Sequence, residues 1–284
     1  MNKSKILAVT GLATVMSASA ASAEVSLNGY IEGWFTSGDN TTGVSNTVYS
    51  QSVYVSYSST LDNGMGMTAG FTLTQSTHAA GFSIDTGMGT LATGTAWQMN
   101  SAADAFDSLP SNANVQSSNA VLGTYNDGDN NSGEGIKYTS PSMNGWTVAA
   151  SIGENMTVGG VNDRVTSVAV KGSVMGISIA AGAVDQTGAN DDSFMTLGYS
   201  IGGVGIGYGN YDSDVDDSTA ISVTTDVAGM TVGFRYDDLD AATDNSRNTY
   251  SVSKDMGGLS LTLMYEEEDI ADNSEWNLVY AIGF

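Results

Sequence analysis

The last nine residues of the chain alternate between large apolar side chains and small or polar ones. The large apolar residues occupy every second position from Trp276 to Phe284. Successive side chains of a β-strand point to opposite faces, so this pattern predicts a strand with one face against an apolar medium. An edge strand of a soluble sheet would show the same alternation. Other features of the sequence are needed to distinguish a membrane strand from a soluble edge strand.

The first 23 residues predict a secretory signal peptide. Lys3 and Lys5 precede an apolar run over 6–16, and Ala21-Ser22-Ala23 closes the segment. We expect cleavage after Ala23, which leaves 24–284 as a single folded domain. The apolar run is too short to span a bilayer, and no later segment has the roughly 20 consecutive apolar residues of a membrane helix. Hydropathy does not exclude a membrane barrel, whose strands give a much weaker signal.

The composition excludes one class of partner and favours β-structure. A formal net charge of −23 argues against nucleic acid as a partner. The chain has no cysteine, and its 35 glycines and two prolines fit strands joined by tight turns. Acidity and secretion would also fit a soluble Gly/Asp-rich repeat protein, but the fixed short period of a β-solenoid is missing.

Alternating segments recur from Glu24 to the end and predict 16 strands, with a range of 14 to 18. Their connections are of two kinds that alternate along the chain. The short ones, rich in Gly and Asn, lie at 60–65, 85–89, 141–145, 172–176, 202–203, 226–229 and 255–258. The others, mostly longer and acidic, lie at 36–47, 75–80, 96–133, 154–163, 185–191, 212–217, 237–246 and 266–274. This sorting is typical of an all-β, antiparallel transmembrane barrel.

The strand charges agree with a barrel around an aqueous lumen. We assign Glu32, Lys137, Arg235 and Lys254 to the parity opposite the apolar one. A Lys or Arg facing lipid at mid-bilayer costs about 2–4 kcal/mol. Sixteen strands are enough to enclose water, and the side chains of the inward parity are mostly small and polar.

Two loose motifs flank the longest connection, 96–133. Gly87-Met88-Gly89 precedes it, and Tyr138-Thr139-Ser140-Pro141-Ser142-Met143-Asn144-Gly145 follows it. With the strand that begins at Glu24 and the terminal Phe284, their order resembles the trimeric general-diffusion porins of Gram-negative bacteria, especially the alphaproteobacterial type. The resemblance implies a 16-stranded outer-membrane barrel, a homotrimer, and a third loop folded into the lumen.

The resemblance also implies where the pore is narrowest. Asp104 and Asp107 of the third loop would face Glu32, Tyr30 and Tyr54 on the barrel wall. Such porins usually set loop acids against a cluster of wall arginines, but the first five strands of this chain contain none. We therefore expect a net negative constriction that favours cations. In the alternative interpretation these residues are merely solvated.

Two acidic segments place oxygen ligands at alternate positions, as calcium loops do. They lack the Gly and the distant Glu of an EF-hand, so solvated surface acid is the competing interpretation. The candidate calcium ligands are Asp127, Asp129 and Asn131 in one segment and Asp212, Asp214 and Asp216 in the other. Apart from calcium we expect no cofactor.

The sequence thus predicts a passive outer-membrane channel for small hydrophilic solutes and ions, in contact with outer-membrane lipids and lipopolysaccharide. A substrate-specific porin is the nearest alternative. From other classes, an outer-membrane barrel enzyme and a structural or adhesive barrel stay open. A histidine-dependent enzyme would have to use His78, the single histidine, which we place in a short loop.

Overall fold

The chain folds into one closed antiparallel β-barrel. The computed structural model describes residues 24–39, 44–74, 78–94, 135–156, 162–186, 191–213, 217–240, 245–269 and 273–283. Each strand pairs with its neighbours in sequence order, and β1 pairs with β16 to close the sheet. The prediction of 16 strands is confirmed. None of the described residues forms a helix that is long and apolar enough to cross a membrane.

The strands differ in length, and β3 to β6 are the shorter ones in the first half of the barrel. Their bounds are β1 (Glu24–Gly38), β2 (Ser45–Thr60), β3 (Gly66–Thr74), β4 (His78–Asp85), β5 (Thr90–Gly94), β6 (Gly135–Thr139), β7 (Thr147–Met156), β8 (Asn162–Val174), β9 (Ile177–Gln186), β10 (Asp192–Ile201), β11 (Val204–Ser213), β12 (Asp217–Val227), β13 (Met230–Asp240), β14 (Asn245–Asp255), β15 (Leu259–Glu268) and β16 (Asn273–Gly283). His78 therefore begins β4, which corrects its placement in a loop.

The short connections are tight hairpin turns at one end of the barrel, here called the short-turn end. The opposite end is called the long-loop end. At the short-turn end, Met175-Gly176 and Ala228-Gly229 each link two strands, and all four residues have positive φ angles. Two successive positive φ angles define the type I′ turn, whose twist matches that of the flanking strands. Local turn chemistry thus fixes the hairpin register.

The register gives every strand an inward and an outward face. Outward apolar side chains are widely exposed in the isolated chain, as Leu27 at 69% and Val168 at 58% illustrate. The inward face carries small polar residues that pair across strands. Ser26 and Ser56 are one such pair, with their hydroxyl oxygens 2.6 Å apart.

Lys254 corrects the predicted charge pattern. Its cross-strand partner is Leu261, and it shares a parity with the exposed Tyr250 and Val252, so it belongs to the outward face. Lys254 is the next-to-last residue of β14, at the short-turn end. There the long aliphatic stem of a lysine can lie on apolar surface while the ammonium reaches water. Glu32, Lys137 and Arg235 lie on the inward face, as predicted.

Part of the inner wall is apolar, which the sequence did not predict. On β7 to β10 a buried cluster faces inward, and it consists of Ala149, Val165, Ala169, Ala180, Val184 and Phe194. Gly182 makes room for the aromatic ring, since a Cβ on it would lie 2.4 Å from Phe194. The lumen is therefore lined unevenly, with this apolar patch beside polar wall.

The two motifs that flank the longest connection meet in space. The Tyr138 hydroxyl donates a hydrogen bond to the Met88 carbonyl oxygen at 2.6 Å. A Cβ on Gly89 would lie 2.7 Å from the same hydroxyl, so the turn needs glycine there. The hairpin before the connection is thus tied to the strand after it.

The closing seam between β1 and β16 carries extra bonds at the long-loop end. The Asp39 carboxylate accepts hydrogen bonds from the backbone nitrogen of Ser274 at 2.9 Å and from its hydroxyl at 3.1 Å. Gly38 permits this approach, because a Cβ there would lie 2.3 Å from the Ser274 carbonyl oxygen.

Candidate functional site

Three residues of the predicted constriction lie together on the inner wall of β1 and β2. Tyr30 and Glu32 are two residues apart on β1, and the Tyr30 hydroxyl donates a hydrogen bond to the Glu32 carboxylate. Tyr54 on β2 pairs with Asn28, one inward position from Tyr30. All three side chains are half-buried. A register shift between Glu32 and Gly33 marks a β-bulge just beyond the carboxylate.

The loop half of the predicted constriction lies outside the described residues. This applies to Asp104 and Asp107 and to the inward folding of the third loop. Their opposition to Tyr30, Glu32 and Tyr54 stays a prediction.

A second group of charged residues occupies the inner wall on β13 to β15, on the other side of the seam from Tyr30 and Glu32. Arg235 and Asp237 on β13 form an ion pair, with Nη2 and Oδ1 2.6 Å apart. Arg247 on β14 lies between two carboxylates, its Nη2 3.6 Å from Asp237 Oδ2 and its Nη1 3.9 Å from Glu266 Oε1. All four side chains are almost completely buried. Charges removed from water to this degree require partners of opposite sign.

Hydrogen bonds extend this group across the seam. Asn277 on β16 donates through Nδ2 to Glu266 Oε2 at 3.1 Å and to Glu275 Oε1 at 2.8 Å. The Thr36 hydroxyl on β1 donates to Asn277 Oδ1 at 2.6 Å. Thr249 on β14 lies 3.3 Å from Glu266 Oε1. We call these eight residues the seam network. Its members are Arg235, Asp237, Arg247, Thr249, Glu266, Glu275, Asn277 and Thr36. It spans five adjacent strands.

The seam network and the Tyr30–Glu32 pair lie on the same part of the inner wall. Glu32 pairs with Ala281 across the seam, and Thr36 pairs with Asn277. Glu32 and Thr36 are four residue steps apart along β1, about 13 Å at 3.3 Å per residue. Both groups therefore belong to one polar strip of wall, with the seam network closer to the long-loop end.

The sequence did not predict the seam network. Arg235 and Asp237 are two residues apart and so share a face, which a parity argument could have found. The approach of Arg247, Glu266 and Asn277 depends on the register between three strands. No local signal carries that register.

The candidate calcium ligands cannot be assembled into a site. Only Asp212 lies among the described residues, as an exposed residue of the outward parity near the end of β11. The other five candidates lie outside them. Within the described part of the chain, no group of three or more His, Asp or Glu side chains could hold a metal ion. Calcium binding stays a prediction.

The sequence profile of Gram-negative porins matches residues 8–283. The chain belongs to the Gram-negative porin family. This confirms the resemblance drawn from the hairpin motifs. No curated protein matches significantly.

Solved structures share the fold at low sequence identity. An in-vitro folded trimeric form of OmpT, an outer membrane protein of Vibrio cholerae, has a TM-score of 0.74 at 13% identity and covers 93% of this chain and 100% of its own. A mutant of the Rh. blastica porin has a TM-score of 0.68 at 18% identity, covering 92% and 100%. A further porin gives 0.68 at 16%, again covering 92% and 100%. Membership of the Gram-negative porin family gives this chain the general character of an outer-membrane diffusion channel.

Proposed function

We propose that this porin is a passive, cation-selective channel for small hydrophilic solutes and ions, and that it catalyses no reaction. Solutes diffuse through the aqueous lumen without energy input. Selection arises from the pore cross-section and from the charges of the wall that permeating ions pass. Size exclusion limits the solutes, while the electrostatic potential of the wall favours one sign of charge.

The charge of the inner wall on the first strands supports cation selectivity. Between residues 6 and 136 the chain contains no Lys or Arg. The inward parity of β1 to β5 nevertheless carries carboxylates, at Glu24, Glu32 and Asp85. A permeating anion would meet three carboxylates on this side, and the inward Lys137 on the adjoining β6 offsets only one of these charges.

The arginines on the opposite side of the seam do not reverse this potential. Arg235 and Arg247 are held by Asp237 and Glu266 on the same wall. Glu275 adds a further carboxylate to the seam network. Paired in this way, the arginines give the strip no net positive charge that could attract anions.

Assembly and environment form part of the proposal. A homotrimer is supported by the trimeric form of OmpT, which shares the fold. Contacts with outer-membrane lipids and lipopolysaccharide are supported by the apolar outward face and by the membership of the Gram-negative porin family. We also propose that the chain is exported through a signal peptide cleaved after Ala23 and that the two acidic segments bind calcium. A substrate-specific porin is the alternative, distinguished by saturable uptake of one solute.

Planar-bilayer recording tests the channel. We expect stepwise conductance, and a reversal potential across a KCl gradient with the sign of cation selectivity.

Glu32→Gln should lower the cation-to-anion permeability ratio about twofold to threefold, the effect of one unit charge acting over roughly 6 Å of water at moderate salt. Glu267→Gln is the matched control, because Glu267 shares the outward parity of β15. Lack of conductance would refute the channel, and anion selectivity would refute the electrostatic account.

A further inference from the structure

Four aromatic residues form a continuous row on the outside of the barrel. Phe234, Tyr250, Tyr265 and Trp276 are direct cross-strand partners on β13, β14, β15 and β16. The centroids of neighbouring rings lie 5.2, 6.3 and 4.7 Å apart along the row. We call these four residues the aromatic row. Ring contacts of this kind hold each side chain against the next.

The aromatic row runs diagonally and is not a ring at constant height. Phe234 is the fifth residue from the short-turn end of β13, and Trp276 is the fourth residue from the long-loop end of β16. Each cross-strand step moves the row one residue toward the long-loop end. Barrel strands tilt by about 35–45° from the membrane normal. A row perpendicular to them therefore rises through the membrane at about 35–45° to the membrane plane. It therefore links mid-bilayer depth to the interface.

A groove of about 750 Å³ follows the aromatic row. Outward apolar residues of the neighbouring positions line it, namely Val223, Val232, Val252 and Leu263. Each is more than a third exposed in the isolated chain, and Trp276 is 51% exposed. The volume lies within the range of about 300–1,000 Å³ that is typical of small-ligand sites. In a bilayer-spanning barrel such a groove meets lipid acyl chains.

Carboxylates lie around the end of the groove that faces the long-loop end of the barrel, here called its upper end. Glu267 lines the groove itself, and its Oε1 accepts a hydrogen bond from the Tyr265 hydroxyl at 2.8 Å. Asp238 lies near the end of β13, and Asp269 and Asp39 directly follow β15 and β1 at the same end of the barrel. Among the described residues of β12 to β16, the only outward Lys or Arg is Lys254, at the other end of the barrel. The interfacial end of this groove is thus strongly negative.

We propose that the groove binds a lipid whose acyl chain lies along the aromatic row and whose headgroup carries an ammonium group at Glu267. The charge of the upper end selects a cationic group over a bare phosphate. The Tyr265 and Trp276 rings next to Glu267 add cation–π attraction for an ammonium. A phosphate bridged by a metal ion is less well supported, since the described residues include no cluster of three metal-ligating side chains. This site is independent of conduction.

A bromine-quenching experiment tests the lipid preference through Trp276. A variant that keeps Trp276 alone, with Trp34, Trp97 and Trp146 replaced by Phe, is folded into vesicles of equal parts phosphatidylethanolamine and phosphatidylglycerol. In one preparation only the ethanolamine lipid carries brominated acyl chains, and in the other only the glycerol lipid does. The headgroup composition of the bilayer is the same in both, so a difference in quenching reports which lipid occupies the groove.

We expect the brominated ethanolamine lipid to be enriched at Trp276 about threefold to tenfold, the combined effect of an exposed ion pair and a cation–π contact. Glu267→Gln in the same background should remove most of the preference. A variant that keeps only Trp146, which lies at the short-turn end, should show none. Equal quenching of Trp276 in both preparations overturns the proposal. Stronger quenching by the glycerol lipid that disappears with a chelator also overturns it, in favour of a metal-bridged anionic lipid.

Discussion

Replacing Arg247 with methionine removes the largest fully buried side chain of the described barrel and the positive charge between Asp237 and Glu266. At 3.6 and 3.9 Å, each ion pair is worth about 4 kcal/mol of Coulomb energy at an effective dielectric constant of 20. The cost of burying the charges offsets much of this. Removing one partner of a buried pair costs about 3–5 kcal/mol, because the remaining charge is left without compensation. We expect Arg247→Met to lower the free energy of unfolding by that amount.

The measurement is urea-induced unfolding of the refolded protein in lipid vesicles, followed by tryptophan fluorescence. Arg164→Met is the matched control, since Arg164 is exposed near the start of β8, and its midpoint should stay close to that of the unchanged chain. Combining Arg247→Met with Glu266→Gln should cost less than the sum of the two single changes, by about 1–3 kcal/mol. Equal midpoints for the two methionine variants would show that the seam network does not brace the barrel.

Three further predictions concern local packing, and each is read from the urea midpoint. Gly172→Ala places a Cβ 2.4 Å from the Trp146 ring and should destabilise by about 1–3 kcal/mol, whereas Gly283→Ala, with open space around it, should be neutral; equal effects would contradict the contact. Ala228→Asn should stabilise by about 0.5–1 kcal/mol, because Asn tolerates a φ of 53° better than Ala; a loss would argue against the type I′ turn. Tyr138→Phe should cost about 1 kcal/mol through the lost bond to the Gly-x-Gly turn, and an unchanged midpoint would show that this bond contributes nothing.

The barrel itself could be predicted because its signals are local. Alternation with period two identified strands such as the one around Tyr280, and turn pairs such as Ala228-Gly229 marked where they reverse. The strand count and the sorting of short and long connections follow from these two signals. Neither signal depends on knowing which distant strands are neighbours.

The site was only partly predictable, because its contacts depend on register and closure. Tyr30 and Glu32 lie on one strand, so their shared inward face could be predicted. Arg247, Glu266 and Asn277 lie on three strands, and a shift of one residue between any two would turn one of them outward. The inward apolar cluster was missed for a different reason, because alternation within one strand does not by itself say which parity faces the lumen.

The bond between Thr36 and Asn277 joins residues 241 positions apart. Closing a loop of that length costs about 3 kcal/mol more chain entropy than closing a hairpin of about 11 residues, at roughly 0.6 kcal/mol per doubling. Until β16 pairs with β1, the Asn277 side-chain oxygen cannot accept the hydrogen bond from Thr36, and the Asp39 carboxylate cannot accept the one from Ser274. The side-chain hydrogen bonds at the seam therefore stabilise barrel closure, which is the last step of folding and the one with the largest cost in chain entropy. A chain without its final strand would keep the earlier hairpins, but it would leave Thr36 and Asp39 at the end of β1 and Glu266 on β15 without these partners.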